Sequence, residues 1–159
     1  MVKLFRPKKT TPRLERLHSL NLFVNLRPSE LEIVDGLVHE REYLAGEVIF
    51  DEGEEGQAIY IVANGDVLIC RQGQGEAGRV AQLGPGTFFG ELALLDDSPR
   101  SAQARAATAC QLIVFFRDDF VGLLDTHARI ASKISRQLAR HLGARMRVMA
   151  MAAGAYQHM

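Results

Sequence analysis

The feature that most constrains the fold is a succession of short apolar segments between His39 and Phe116, separated by turns most of which contain glycine. Short segments that are β-branched or alternate apolar with polar residues are typical of strands. About eight such strands at regular spacing predict an antiparallel barrel or jelly roll. The apolar and polar residues begin to repeat with a period of two at His39, where the first predicted strand starts. The later predicted strands are Val48–Phe50, Ala58–Ala63, Val67–Arg71, Arg79–Leu83, Thr87–Phe89, Ala102–Ala107 and Gln111–Phe116.

The turn Asn64-Gly65-Asp66 lies between two of these predicted strands. Asn-Gly turns have a backbone twist that suits two paired antiparallel strands. The sequence therefore predicts a β-hairpin at this point.

Helical patterns flank the strands, so the predicted fold class is mainly β with flanking helices. A short helix is predicted over Leu14–Leu22, and a second begins with Ser29 as its N-cap. Another short helix is predicted at Phe120–Leu124. A long helix follows Thr126 and runs to about Met151.

The long C-terminal helix has two stripes at a spacing near four. The apolar stripe is Ile130, Ile134, Leu138, Leu142, Met146 and Met149, and the basic stripe is Arg129, Lys133, Arg136, Arg140 and Arg147. This spacing is poor for a long left-handed coiled coil. We therefore expect a lid that moves about a hinge at Asp125-Thr126 and makes a limited dimer contact. Packing on the chain's own barrel and binding to a membrane surface are the alternatives.

Composition limits the class of protein. A chain of 159 residues with 47% hydrophobic residues is long enough for one domain with a packed core. Apolar runs of the predicted core such as Leu112–Phe116 are far too short to span a membrane. The basic segment Lys3–Lys9 precedes no apolar run, so no secretory signal is predicted and a cytoplasmic location is expected. Cys70 and Cys110 are expected to be free thiols in a reducing compartment.

The net charge is zero, but its distribution is uneven. Residues 1–16 hold six basic residues and one acid, residues 17–125 hold seven basic and eighteen acidic residues, and residues 126–159 hold six basic residues and no acid. We predict a flexible basic tail over residues 1–13. Contact of the basic ends with anionic lipid or nucleic acid is the functional alternative.

The stretch from Phe89 to Ala102 reads F-G-E-L-A-L-L-D-D-S-P-R-S-A and carries the chemistry of a binding site. Gly90 permits a tight turn, and the residues after Glu91 favour one short helical turn. Arg100 offers a guanidinium fork for a phosphate, and the Glu91 carboxylate accepts hydrogen bonds from sugar hydroxyls. The combination predicts a sugar phosphate ligand. An internal ion pair between Glu91 and Arg100 in a surface loop is the alternative.

This stretch resembles the phosphate-binding cassette of cyclic nucleotide-binding domains, the family of bacterial catabolite activators, cyclic nucleotide-dependent kinases and gated channels. The resemblance rests on F-G-E-L-A-L and P-R-S-A, with eight residues between Glu91 and Arg100. It implies that Glu91 holds the ribose 2′-hydroxyl and that Arg100 holds the cyclic phosphate. It also implies a β-roll with hinge and lid helices, and that the backbone of the Gly-Glu-Leu-Ala segment and Ser101 complete the cradle.

The C-terminal helix resembles the family in Q-L-A-R-H-L, Gln137–Leu142, which is similar to the dimerisation helix of the bacterial activators. Those proteins then place a Thr-Ser pair that holds adenine, at the positions where this chain has Arg145-Met146. The base is therefore expected to be read differently, with Arg145 stacked on it or bonded to its edge and Met146 against its face. The alternative is that both are ordinary surface or dimer-contact residues. Too few residues follow Met151 for the activators' DNA-binding domain, which is therefore not expected. The predicted ligand-binding residues are Phe89, Gly90, Glu91, Leu92, Ala93, Arg100, Ser101, Ala102, Arg145 and Met146.

Ser101 bears on the choice of base. The resemblance implies that this position is typically Ala in cyclic AMP-selective kinases, Thr in cyclic GMP-selective kinases and Ser in cyclic AMP activators. We therefore expect cyclic AMP (cAMP) to be favoured over cyclic GMP (cGMP).

Two other ligand classes have weaker signals. The loop Gly73–Gly78 spells G-x-G-x-x-G, but a strand pattern follows where a dinucleotide fingerprint requires a helix. The histidines, His18, His39, His127, His141 and His158, are too scattered for a cupin-like metal centre. We therefore expect no metal and no enzyme activity, with a cupin-like enzyme as one alternative and a β-roll interaction module without nucleotide as the other.

The sequence thus predicts three parts: the tail over residues 1–13, a cyclic nucleotide-binding β-roll with flanking helices over 14–125, and a lid and dimerisation segment over 126–159. The expected role is regulatory. Ligand binding would rearrange the last helices and signal to an effector protein, a second copy or a membrane surface.

Overall fold

The computed structural model describes residues 10–71 and 79–154, which form two antiparallel sheets flanked by helices. The N-terminal helices are α1 (Pro12–His18), a 3-10 helix (Asn21–Phe23) and α2 (Pro28–Asp35), and the C-terminal ones are α3 (Arg117–Thr126) and α4 (Ala128–Ala152). The loop Gly73–Gly78 and residues 1–9 of the predicted tail lie outside the described residues.

Eight strands form two four-stranded sheets, which confirms the predicted β-roll with flanking helices. One sheet has the order β1-β8-β3-β6, and the other has the order β2-β7-β4-β5. The strands are β1 (His39–Tyr43), β2 (Val48–Phe50), β3 (Ala58–Asn64), β4 (Val67–Cys70), β5 (Arg79–Leu83), β6 (Phe88–Phe89), β7 (Gln103–Ala106) and β8 (Cys110–Phe116).

Strands β3 and β8 are apolar almost throughout because both of their faces are buried. Alternate residues of a strand point to opposite faces, so each strand supplies two hydrophobic clusters. The roll core lies between the sheets, and β3 contributes Ala58, Tyr60 and Val62 to it. The helical core lies between the first sheet and the helices, and β3 contributes Ile59 and Ile61 to it.

The hairpin predicted at Asn64-Gly65-Asp66 is wrong. Strands β3 and β4 on either side of this turn belong to different sheets, so the turn carries the chain from one sheet to the other. Gly65 has φ of 83°, and its Cα faces the backbone at Ala109 and Cys110. The glycine is therefore required both by the left-handed backbone and by the close approach of a second chain segment.

The helix boundaries differ from the predicted ones at several points. Helix α1 ends at His18 and not at Leu22, and α3 spans Arg117–Thr126, so the break before α4 falls at His127 and not at the predicted hinge Asp125-Thr126. Helix α1 begins at Pro12, inside the predicted tail, because the Thr11 side chain accepts a hydrogen bond from the Leu14 backbone N–H at 3.2 Å. The N-cap of α2 is Arg27 and not Ser29, since Pro28 occupies the first helical position.

Helix α4 buries side chains against the body along its first half only. Its buried residues are Ile130, Ala131, Ile134 and Leu138. Lys133 Nζ donates to Glu30 Oε1 on α2 at 2.5 Å, and Gln137 donates to the Asn21 carbonyl at 3.1 Å. The predicted apolar stripe is therefore buried up to Leu138, whereas Met146 and Met149 at its far end are exposed. Among the described residues, no helix combines the length and the apolar character that crossing a membrane requires.

Two helical glycines allow the stability of α4 to be compared with that of α3. A Cβ added at Gly122 in α3 or at Gly143 in α4 meets no atom within 4 Å, so alanine is expected to stabilise either helix by about 0.5–1 kcal/mol. Gly122→Ala should raise Tm by about 2–4 °C per kcal/mol, because α3 packs through Phe120 and Leu123. Gly143→Ala should raise Tm less and instead slow amide exchange in the exposed end of α4. An equal rise of Tm in both variants would show that all of α4 unfolds with the body.

Candidate functional site

The site begins where β6 ends. Phe88 and Phe89 are buried, and the chain then turns at Gly90, which has φ of 73°. A short 3-10 helix over Glu91–Leu94 follows, where the sequence predicts one helical turn. A Cβ at Gly90 would lie 2.5 Å from Arg100 Nη1. Glycine is thus needed here for the backbone conformation and for the close approach of the guanidinium.

Arg100 is fixed in place by the protein itself. Its side chain is buried, with Nη1 donating to the Gly90 carbonyl at 3.0 Å and Nη2 donating to the Ala58 carbonyl at 2.7 Å. The guanidinium carbon lies 4.1 Å from the centroid of the Phe50 ring and 5.7 Å from that of Tyr60. Burial lowers the pKa of Arg100, against the opposing effect of Glu91 and other groups; a guanidinium keeps its charge even so. The result is a preoriented cation.

Glu91 is also buried, at 3% exposure, and its counter-ion lies on α4. Arg145 Nη1 donates to Glu91 Oε1 at 2.5 Å, and His141 Nε2 lies 3.6 Å from the same oxygen. Arg100 hydrogen-bonds to carbonyl groups instead. The alternative of an internal ion pair between Glu91 and Arg100 is therefore not what the structure shows.

His141 was not predicted as a site residue. Its ring centroid lies 4.3 Å from that of Phe88 in β6. Burial lowers the pKa of His141, Glu91 raises it and Arg145 lowers it further, so the net direction favours the neutral ring. A histidine inside a helix has no local signal of function, but its spacing of four from Arg145 places both side chains on one face.

These residues surround a cavity of about 320 Å³ between the roll and α4. One side is apolar, with Ile69, Ala81 and Leu83 from β4 and β5. The other side carries the charged groups, namely Glu91, Arg100 and Arg145 with His141 beside them. This lining suits a ligand that has an anionic group for the guanidinium, hydroxyl groups for the carboxylate and an apolar part for the wall.

The structure brings nine of the predicted ligand-binding residues to this cavity: Phe89, Gly90, Glu91, Leu92, Ala93, Arg100, Ser101, Ala102 and Arg145. Met146 does not line it, and its side chain is 69% exposed. Met146 follows Arg145 by one residue, so the helix turns its side chain away from the face that meets Glu91. Sequence reasoning also missed the cavity wall formed by Phe50, Ile69, Ala81, Leu83 and Phe88.

Within residues 10–71 and 79–154, no group of three or more His, Cys, Asp or Glu side chains is arranged to hold a metal ion. The two cysteines are both free, with Cys110 buried and Cys70 partly buried.

Comparison with known proteins agrees with this geometry. The family model described as the cyclic nucleotide-binding domain matches residues 40–127, more than half of the chain. The Cyclic AMP receptor protein of Thermus thermophilus is 39% identical over 122 residues, which are 76% of this chain and 56% of that protein. This chain thus spans little more than half the length of that relative.

Solved structures of cyclic nucleotide-binding proteins are also similar to this chain. The catabolite activator protein of Thermus thermophilus has a TM-score of 0.73 and 36% identity, covering 84% of this chain and 62% of that one. A PKAR domain, CBD2, bound to Sp-2Cl-cAMPS has a TM-score of 0.68 and 26% identity, covering 87% of this chain and 88% of that one. With the cassette geometry described above, these matches show that the chain belongs to the cyclic nucleotide-binding domain family.

Proposed function

We propose that this protein is a regulatory module that binds a cyclic nucleotide, with cAMP favoured over cGMP, and passes the signal to an effector protein through α4. The observation that carries the proposal is the pair of buried, fixed charges in one cavity, Glu91 and Arg100. A cyclic nucleotide has one phosphate charge, one ribose 2′-hydroxyl and a flat base. The cavity offers a guanidinium, a carboxylate and an apolar wall to match them.

The proposed roles follow from the chemistry of each group. The guanidinium of Arg100 binds the cyclic phosphate, with the hydroxyl and backbone of Ser101 beside it. The Glu91 carboxylate accepts a hydrogen bond from the ribose 2′-hydroxyl. The base then lies toward Ile69, Ala81 and Leu83, with α4 over it. A volume of about 320 Å³ is at the lower end of the range for small-molecule sites.

Two observations support a preference for cAMP. The cAMP activators also have serine at the position of Ser101, and this chain is similar to a cAMP receptor protein. The similarity to a domain that binds a cAMP analogue supports it as well. None of these observations involves a contact between the protein and the edge of the base. The base preference is therefore tested separately from nucleotide binding itself.

Signal transfer through α4 is supported by the different ways in which its two halves contact the body. The first half is fixed by buried side chains and by Lys133, whereas the second half reaches the body through His141 and Arg145. Both of these residues line the nucleotide cavity. A ligand with different affinity for two positions of this segment shifts the population between them, and an effector or a second copy would detect that shift.

Isothermal titration calorimetry of the whole chain with cAMP, cGMP and cyclic di-GMP tests the proposal. We expect one site per chain, with cAMP bound most tightly and cyclic di-GMP not bound. Absence of heat with every nucleotide would refute the binding function and favour a β-roll interaction module. Tighter binding of cGMP would refute only the choice of base.

A further inference from the structure

The charge on Glu91 is balanced by α4 and not by its own cassette. Arg145 Nη1 and His141 Nε2 both approach Oε1 of Glu91, at 2.5 Å and 3.6 Å. Both contacts are made to the same oxygen, so α4 approaches Glu91 through Oε1, and we assign the second oxygen, Oε2, to a ribose hydroxyl.

The balance of charge in the cavity depends on Arg145. Arg100 and Arg145 are cationic and Glu91 is anionic, while burial favours the neutral form of His141 by lowering its pKa. A cyclic phosphate brings one further negative charge and engages Arg100. Arg145 is then the cation left to balance Glu91, so removing it would leave two buried anionic groups with one cation between them.

We infer that Arg145 determines sugar specificity: it acts through Glu91, as a positioning residue that holds the carboxylate ready to receive the 2′-hydroxyl. This inference rests on the proposed nucleotide-binding function. It replaces the sequence-based prediction that Arg145 contacts the base, because its guanidinium is already engaged by the ribose-binding carboxylate.

The inference also couples the sugar to the helix. Glu91 follows the turn at Gly90, whereas Arg145 lies seven residues beyond Leu138, the last buried residue of α4. A ribose hydroxyl bonded to Glu91 stabilises the carboxylate orientation in which it also accepts from Arg145. Arg145 in turn stabilises the carboxylate orientation that accepts from the hydroxyl. Binding of a ribose nucleotide and docking of the end of α4 therefore favour each other by the same factor.

The test compares the affinity for cAMP with that for 2′-deoxy-cAMP by calorimetry, because a 2′-deoxy sugar cannot use Glu91. In the wild type we expect cAMP to bind about tenfold or more tightly than the deoxy ligand, as for a hydrogen bond to a charged group. Arg145→Gln should bring this ratio close to one, and Glu91→Gln is expected to do the same. In a Glu91→Gln background, the change at Arg145 should lower the ratio no further.

Arg147→Gln is the matched control, since it removes the same charge from an exposed position two residues along α4. It should leave the ratio at the wild-type value. Equal losses for the two ligands in Arg145→Gln, or an unchanged ratio, would overturn this inference while nucleotide binding stands. A wild-type protein that binds neither ligand would overturn the proposed function, and the inference with it.

Discussion

Arg100→Ala is expected to lower the affinity for cAMP by about ten- to a hundredfold or more. This loss corresponds to the binding free energy that a charge-assisted hydrogen bond to a phosphate contributes. The side chain is already oriented by two carbonyl groups and the ring of Phe50, so the ligand loses a preformed contact. The backbone of Arg100 is anchored separately, through bonds with Glu54 and Gly53. The substitution therefore removes the guanidinium and leaves the chain path supported. Calorimetry with cAMP measures the loss.

Arg105→Ala provides the control for this variant, because Arg105 is an exposed arginine on β7 that does not line the cavity. Its affinity for cAMP should equal that of the wild type. Arg100→Ala also leaves the Gly90 and Ala58 carbonyls without their donor, which costs about 1–3 kcal/mol of stability for a buried group. Circular dichroism should still show a folded protein at 25 °C. Wild-type affinity in folded Arg100→Ala would remove Arg100 from the phosphate site.

Gly65→Ala is expected to destabilise the fold by about 2–4 kcal/mol, which combines left-handed backbone strain with overpacking. An added Cβ would lie 2.4 Å from the Ala109 carbonyl oxygen and 2.7 Å from Cys110 Cβ. Ala109 immediately precedes β8, and Cys110 is its first residue. Since β8 is paired with both β1 and β3, displacing either atom would disturb the sheet. Chemical denaturation measures the change as a lower midpoint at an unchanged slope.

Gly46→Ala separates the two contributions. Gly46 has φ of 87°, close to the 83° of Gly65, but a Cβ there meets no atom within 4 Å. It should cost only the backbone strain, about 1–2 kcal/mol. Equal losses at Gly46 and Gly65 would show that the contact with Ala109 and Cys110 relaxes without cost.

The strands and the cassette could be predicted because their signals are local. The period of two in β-branched segments predicts eight strands, and Gly90, Glu91 and Arg100 lie within one short stretch. The partners of these strands could not be predicted in the same way. The Asn64-Gly65-Asp66 turn has the sequence of a hairpin, yet its strands pair with β8 and β7 in separate sheets. Pairing is decided by packing of distant segments, which overrides turn preference.

The electrostatics of the site depend on distant segments as well. The Arg145–Glu91 contact spans 54 positions of sequence, so neither residue's neighbours reveal it. The same is true of the carbonyl group of Ala58, which fixes Arg100 from 42 positions away. The sequence analysis considered only the ligand and Glu91 as partners of Arg100, whereas in the structure the guanidinium also holds two backbone carbonyl groups of the fold.

The two-faced strands also limit how the binding preference can be re-engineered. In β3, Tyr60 faces the roll core while Ile59 and Ile61 face the helical core, so a mutation library at these positions would disturb both layers at once. Ile69, Ala81 and Leu83 line the cavity from the other sheet, and none of them belongs to the helical core. With the base placed as proposed, directed evolution toward another base is best confined to these three positions. Substitutions there leave the helical core untouched, although Ile69 and Leu83 also pack against the roll core.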